Sequence, residues 1–386
     1  MKKIIVSCVL FVAVAAVFAQ KDLAEKAKKD LLESTRFGGY VIGRAAFNDR
    51  DQSTSNKYHS NFDLRLVRAY VDGKVLNVAY KLQVEYEGYG GTNEKGPHIV
   101  DAWAEWQKFK FFRVKAGQFK RCFTFENPMN PWDVSFGDYS QLVQKLAGFS
   151  DRVGEHSSGG RDGGIQIQGD LLESRKDGHS FVHYQLGVYN GQGINHNDVN
   201  NHKDLIGSLS VSPVKDLTLA VFGWNGTYTG NVSGQYLTAA GLTATDTRSV
   251  TVDRNRMAAG LKYTGPFTLR AEYGVSEGHK VSDYKYAGHD NPLALDASKS
   301  DGADSWYVMA AVPVTKDKKC KVQARWDVYR DQKTWNSAKR IYGLGAEYYF
   351  YKNLKLQANY SYIDDKSTVN TDNHYNTLDL QLYWRW

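Results

Sequence analysis

Past its first twenty residues this chain contains no apolar run approaching the roughly 18 residues that a membrane-spanning helix requires, which excludes a helical membrane protein. Proline is sparse, 7 residues in 386, and cysteine sparser still at 3. Against these scarcities stand 25 Tyr, 9 Trp and 35 Gly, the composition of many strands joined by Gly-bearing turns. All-β is the default reading, and the length suits either two soluble domains or one large barrel.

The N-terminus reads as a secretory signal over residues 1–19: Lys2 and Lys3, an apolar core from Ile4 to Val17, then Val17-Phe18-Ala19 ahead of Gln20. Cys8 lies too early in that core to mark a lipoprotein. Removal of Lys2 and Lys3 lowers the formal charge from +7 to +5, a mild basic excess that hints at anions. Only Cys122 and Cys320 then remain. Residues 20–36 form a short, charged N-terminal segment. Leu23, Ala27 and Leu31 at four-residue spacing suit an amphipathic helix, but a solvated leader is the favoured reading.

From Tyr40 onward the chain alternates with a period of two. Val78, Tyr80, Leu82, Val84 and Tyr86 interleave with Lys81, Gln83, Glu85 and Glu87; Leu378, Leu380, Leu382, Trp384 and Trp386 interleave with Asp379, Gln381, Tyr383 and Arg385. About sixteen such segments are counted. Short turns (Asp72-Gly73-Lys74, Lys108-Phe109-Lys110, Pro213-Val214-Lys215, Gly265-Pro266, Tyr351-Lys352-Asn353) alternate with long polar stretches at 49–60, 88–97, 120–161, 191–203, 230–253 and 276–301. That alternation predicts a transmembrane antiparallel up-and-down β-barrel over residues 37–386, with one loop-bearing rim. Tyr86, Tyr273, Trp306 and Tyr362 then fall at the loop ends of their strands, and Tyr263, Phe267, Phe350, Trp384 and Trp386 at the turn ends, as two aromatic girdles. Cys122 and Cys320 fall at opposite ends, so no disulfide is expected. The second strand breaks parity between Leu66 and Val67, which a bulge near Leu66 would repair.

The most distinctive sequence flanks the longest interruption: Gly117-Gln118-Phe119-Lys120, Phe123-Thr124-Phe125-Glu126-Asn127-Pro128 and Arg161-Asp162-Gly163-Gly164. With the run from Tyr184 to Gly193, Leu269-Arg270-Ala271-Glu272-Tyr273 and the aromatic C-terminus, the chain resembles the phosphate-selective porins O and P of Gram-negative outer membranes. Cys122 departs from the Pro that relatives place there. The resemblance implies a sixteen-stranded homotrimeric barrel whose third long loop, about 120–161, folds into the lumen as a constriction. Independently, Leu142, Val143 and Leu146 share a helical face within 139–149, suited to dock on a wall.

Such a barrel catalyses nothing and selects by width and charge. Candidate anion contacts are Lys120, Arg121, Arg152 and Arg161 in the constriction segment, and Arg113, Lys262, Arg270, Lys321 and Arg325 on the wall. Inward carboxylates Glu85, Glu87, Asp101, Glu105, Glu272, Asp327 and Glu347 could pair with them. The expected function is passive diffusion of small hydrophilic solutes with preference for anions such as phosphate. A non-selective porin and a secreted β-sandwich adhesin are the alternatives. Gly274-Val275-Ser276-Glu277-Gly278 matches a hydrolase motif but leaves a strand for a loop, so no enzyme is expected. Asp198 and Asp204 match no calcium loop, and no metal, cofactor or nucleic acid is expected. The terminal aromatic resembles the signal read by barrel-assembly machinery.

Overall fold

The alternation becomes, in the computed structural model, one sheet closed on itself. The structure describes residues 21–50, 58–86, 96–237, 243–286, 293–367 and 373–386. The first 20 residues, with the expected signal peptide and Cys8, lie outside these, as does Glu87. A helix, α1 (Lys21–Ser34), precedes β1 (Arg36–Asn48), β2 (His59–Val75), β3 (Val78–Tyr86), β4 (His98–Trp106) and β5 (Arg113–Lys120). A second helix, α2 (Gln141–Leu146), lies in the linker to β6 (Arg161–Glu173), β7 (Ser180–Tyr189), β8 (Asp204–Val214) and β9 (Leu217–Asn225). Next come a hairpin, β10 (Thr227–Leu237) and β11 (Thr243–Asp253), then β12 (Asn255–Thr264) and β13 (Thr268–Glu277). A small pair, β14 (Tyr284–Tyr286) and β15 (Leu293–Leu295), precedes β16 (Gly302–Pro313), β17 (Cys320–Arg330), β18 (Ala338–Tyr351), β19 (Leu354–Asp365) and β20 (His374–Arg385). Sixteen strands, all but the two hairpins, form a closed antiparallel barrel. A sandwich is thereby excluded.

Side chains of one parity are exposed and apolar, as with Leu186, Val188, Leu209, Val221, Leu344 and Leu382. A belt of that kind is untenable in water and fits a bilayer. No helix among the described residues is long and apolar enough to cross a membrane. The other parity carries buried polar groups, including all six inward carboxylates that lie among the described residues. On the outside, rings follow one another from Tyr273 to Trp306 (6.2 Å), Trp306 to Trp326 (6.3 Å), Trp326 to Tyr342 (6.5 Å) and Tyr342 to Tyr362 (6.2 Å). At the turn end, Tyr263 meets Phe267 at 5.0 Å and Trp384 meets Trp386 at 5.2 Å, and Phe350, at the register break between Tyr349 and Tyr351 of β18, is exposed. Tyr86 is exposed at the loop end of β3.

The parity break in β2 is a bulge. Ile42 pairs with Leu66 and Gly43 with Leu64, leaving Arg65 as the extra residue. Leu66 turns inward while Phe62 and Leu64 stay outside. Two turns sit later than the sequence suggests. Asp72 and Gly73 still pair with Lys81 and Tyr80, and the turn is Leu76-Asn77, with Leu76 at φ 53°. Pro213 falls in a register irregularity between Val211 and Val214, where its missing N–H is tolerated, so the turn moves to residues 215 and 216. The loop-rim linkers 331–337 and 366–373 are short, so turn and loop alternate by side of the barrel and not always by length.

Residues 21–34 form the helix that the four-residue spacing suits, and most of its side chains stay exposed. The helix forms because it closes the β2–β3 turn: Asp30 accepts from the Leu76 N–H (3.0 Å), and Ser34 Oγ donates to the Lys74 carbonyl (2.8 Å). Cys122 and Cys320 are both free.

The seam lies between β1 and β20. Tyr40 pairs with Arg385, and the Trp386 N–H donates to the Gly39 carbonyl at 3.1 Å. A Cβ on Gly39 would come within 2.3 Å of the Trp386 ring, so the seam requires glycine there. Deletion of Trp386, or Gly39→Val, is expected to lower the yield of inserted, heat-modifiable barrel severalfold. Channels that do insert should keep wild-type conductance. Wild-type insertion of both variants would show that closure does not rest on this contact.

Candidate functional site

Residues 121–160 fold back against inward-facing wall side chains. Ser140 caps α2 by accepting from the Val143 N–H, and Leu142, Val143 and Leu146 are fully buried. Leu142 fits because Gly274 of β13 has no side chain; a Cβ there would lie 2.6 Å from it. Phe123 packs edge-on against Phe222 (6.2 Å) and Trp224 (5.6 Å) of β9. The wall also satisfies the loop backbone. Glu272 accepts from the Phe125 N–H (2.6 Å), Asp327 from the Gln141 N–H (3.0 Å), and Lys355 donates to the Trp132 carbonyl (2.6 Å). Arg65, aimed inward by the bulge, pairs with Asp138 at 2.8 Å.

One ionic cluster ties the loop down. Arg121 pairs with Glu155 and Asp162, each at 2.9 Å; Arg254 with Glu155 and with Asp204 (2.5 Å); Arg256 with Asp151 (2.6 Å). All seven side chains in these pairs have no solvent exposure. The three guanidinium groups surround the Trp224 ring at 4.8, 4.7 and 4.7 Å, and its Nε1–H donates to Asp204 at 2.8 Å. Burial alone would raise the Glu155 carboxyl, but Arg121 and Arg254 outweigh it and hold it at about 2. Asp204 is therefore a buried ion-pair partner and not a calcium-loop residue, while Asp198 pairs with Lys203. Among the described residues no cluster of three or more His, Cys, Asp or Glu is placed to hold a metal. Ser276 is buried within β13, where Arg256 Nε donates to it at 3.4 Å, which is no nucleophile elbow.

The loop packs on strands from β8 to β20, reaches β2 through Arg65 and β7 through Tyr189, and borders a space inside β2 to β7. A cavity of about 210 Å³ lies there, lined by Arg68, Lys81, Asp101, Lys115, Lys120 and Arg161, with Trp103 and several glutamines. Arg68 pairs with Glu85, and Arg161 grips Asp101 at 3.0 and 3.1 Å. Lys81 and Lys115 have no ion pair among the described residues. Their ammonium groups lie 4.9 Å from the Tyr70 ring and 3.8 Å from the Trp103 ring.

Of the nine cations singled out by sequence, Lys120, Arg121 and Arg161 line this cavity. Lys120 gives its N–H groups to the Asn127 carbonyl (2.5 Å), the Met129 carbonyl (2.7 Å) and the Tyr139 hydroxyl (3.0 Å). Arg152 donates to the Gly278 carbonyl at 2.6 Å, and Arg113 pairs with Asp170 at 2.8 Å. Arg270 pairs with Glu126 (3.3 Å) and Lys321 with Glu347 (2.8 Å). Arg325 donates to the Asp138 carbonyl at 3.0 Å. Lys262 stands opposite Arg270 in register and 5.4 Å from the Phe125 ring. Most of these are tethers of loop or wall. Sequence reasoning missed Arg68, Lys81 and Lys115 as lining residues, and Trp224, Arg254 and Arg256 as anchors. The inward apolar run Ala220, Phe222 and Trp224, on a strand also apolar outside, was the available signal.

Residues 43–311 match the family model described as phosphate-selective porin O and P. A comparison with curated protein sequences finds no match. Among solved structures the chain is similar to the anion-selective porin from Comamonas acidovorans, with TM-score 0.62, 13% identity, and 92% of this chain and 99% of that chain covered. It is also similar to OmpT of Vibrio cholerae, as the loop L8 deletion mutant (TM-score 0.60, 15% identity, 92% and 99% covered) and as the in-vitro folded trimer form (TM-score 0.57, 15% identity, 92% and 99% covered).

Arg254→Ala leaves buried Asp204 without a guanidinium and Glu155 with Arg121 alone, a loss on the order of 3–5 kcal/mol. The variant is expected to show raised open-channel current noise and a lower thermal transition; unchanged noise would mean that the loop is held elsewhere. The Glu155 carboxyl lies below its ordinary value near 4.3, so its contribution is full above that value and is lost as pH falls toward about 2. Channel noise should stay flat from about pH 8 to about pH 5 and rise below about pH 4. A rise near neutral pH would contradict this assignment.

Proposed function

This chain belongs to the phosphate-selective porin O and P family and forms an outer-membrane diffusion channel, and from that premise we propose that its passage prefers anions. The observation that carries the reading is the pair Lys81 and Lys115, which line the cavity and have no ion pair among the described residues. Arg68 and Arg161 are neutralised by Glu85 and Asp101, so the net charge of the passage comes from lysine. A lysine ammonium is a compact, hydrated point charge, suited to a weak hold from which an anion escapes. The field therefore attracts anions generally, and strong discrimination for phosphate is not part of this reading.

In this account residues 121–160 act as the constriction, with Lys120, Arg121 and Arg152 setting its position more than its charge. Residues 1–19 act as an export signal and 20–36 as a periplasmic segment. The aromatic rings at the two barrel ends meet the two lipid interfaces, three copies associate, and the closing strand is read by the assembly machinery. The trimer form known for a similar barrel supports the association. The flux through the channel is passive, and no catalytic role is assigned to any residue.

The test is the reversal potential across a salt gradient in a planar bilayer. Wild type should give an anion-directed sign, and Lys81→Gln with Lys115→Gln should move the potential most of the way to zero with conductance largely kept. A cation-directed sign in wild type, or an unchanged potential in the double variant, overturns the proposal.

A further inference from the structure

The passage holds more than cations. Four glutamines line the same cavity: Gln83 on β3, Gln166 and Gln168 on β6, and Gln185 on β7. Three of them form a relay rooted on a carboxylate. Glu105 can only accept, so Gln168 Nε2 donates to it at 2.6 Å, which turns Gln168 Oε1 toward its neighbours. Gln166 and Gln185 then donate to that oxygen at 2.7 and 2.8 Å. Their own carbonyl oxygens accept from the Tyr189 hydroxyl (2.7 Å) and the Ser208 hydroxyl (3.1 Å).

The polarity of the lining follows. Each amide nitrogen carries two hydrogens. Gln166, Gln168 and Gln185 each commit one inside the relay, and the Gln83 amide nitrogen, on a side chain only 1% exposed, has no partner among the described residues. The Gln83 amide is thus a donor without an acceptor among the described residues, and the other three amides have a second hydrogen to give, beside Lys81 and Lys115, which are donors too. A buried unpaired donor is costly unless a solute or water answers it.

We propose that this surface is a binding subsite for a hydroxylated solute bearing one anionic group, of the hexose phosphate class, deepening the anion-preferring reading on which it rests. The anionic group sits at Lys81 and Lys115, and sugar hydroxyl oxygens accept from the amides. Trp103, lining the same cavity with Lys115 over one of its faces, offers the sugar ring its remaining apolar edge. A bare phosphate needs only the cations. A polyphosphate would call for further free cations, whereas Arg68, Arg121 and Arg161 are held by carboxylates, Lys120 by backbone carbonyls, and the rest of the wall offers neutral amides. The cavity is several times the roughly 30 Å³ that liquid water gives each molecule, room for a solute larger than a lone ion.

The experiment measures block of the chloride current by glucose 6-phosphate, glucose, inorganic phosphate and pyrophosphate. Half-block by glucose 6-phosphate is expected at concentrations about tenfold below those for inorganic phosphate, the scale of one or two added hydrogen bonds, with little block by glucose. Gln83→Leu with Gln185→Leu should remove most of that advantage and leave block by phosphate unchanged. Equal block by phosphate and glucose 6-phosphate in wild type, or stronger block by pyrophosphate, overturns the subsite even where the reversal potential stays anion-directed. A cation-directed reversal potential would instead overturn the underlying reading and the subsite with it.

Discussion

The buried ionic cluster around Trp224 is the constraint on which the working form of the molecule depends. A sixteen-stranded barrel is too wide for its wall side chains to fill, so something must enter the lumen to define a passage. That something is a segment as long as several strands, and a free segment of that length would fluctuate. Arg121 follows β5 directly, Asp162 and Asp204 lie at the loop ends of β6 and β8, and Arg254 and Arg256 lie at that of β12. Glu155 and Asp151 come from the far part of the loop. The cluster thus fastens the returning limb of the loop to four strands at one level, and withdrawing any of its three arginines leaves a buried carboxylate short of its partner.

Fastening the loop to one side divides the lumen chemically. Under it the inner wall turns apolar, with Ile206, Ala220, Phe222, Ala258 and Met309 buried against Phe123, Leu142 and Leu146. Opposite it, β2 to β7 keep lysine, glutamine and paired charges facing open space. The position of the loop, set by packing and ion pairs, decides which wall a solute meets. The wall side chains that border the remaining space come from six strands.

What was legible in the sequence was what depends on neighbours in the chain. Period two gave the strands and their faces, turn residues gave most of the hairpins, and the broken parity of β2 gave the bulge, whose extra residue is Arg65, one place from the expected site. The docking helix was legible because Leu142, Val143 and Leu146 share a face. The anchors were not, since Arg121 and Arg254 meet at Glu155 from 34 and 99 residues away. Asp204 looked like a loop carboxylate because its partners lie on other strands. The free lysines were also hidden. Lys115 stands opposite Glu105 and Lys81 opposite Asp72 in register, an arrangement that suggests paired wall charges. Glu105 is instead taken by Gln168, with Arg113 at 3.6 Å, and Asp72 by Arg36. Competition among several donors for one carboxylate is decided in three dimensions.

That competition has a chemical order. Guanidinium forks win carboxylates because they bind them bidentately and lose less hydration on burial, as Arg161 does at Asp101 and Arg256 at Asp151. Lysines are left where water can reach them. The division is not absolute, since Lys321 and Lys355 share Glu347, and Lys355 is buried beneath Trp132. Where it holds, arginine builds the frame and lysine supplies the field. A lumen rich in both signs can then carry a net positive passage, because the arginines that balance its acids are held in ion pairs while Lys81 and Lys115 rest against the Tyr70 and Trp103 rings and not against carboxylates.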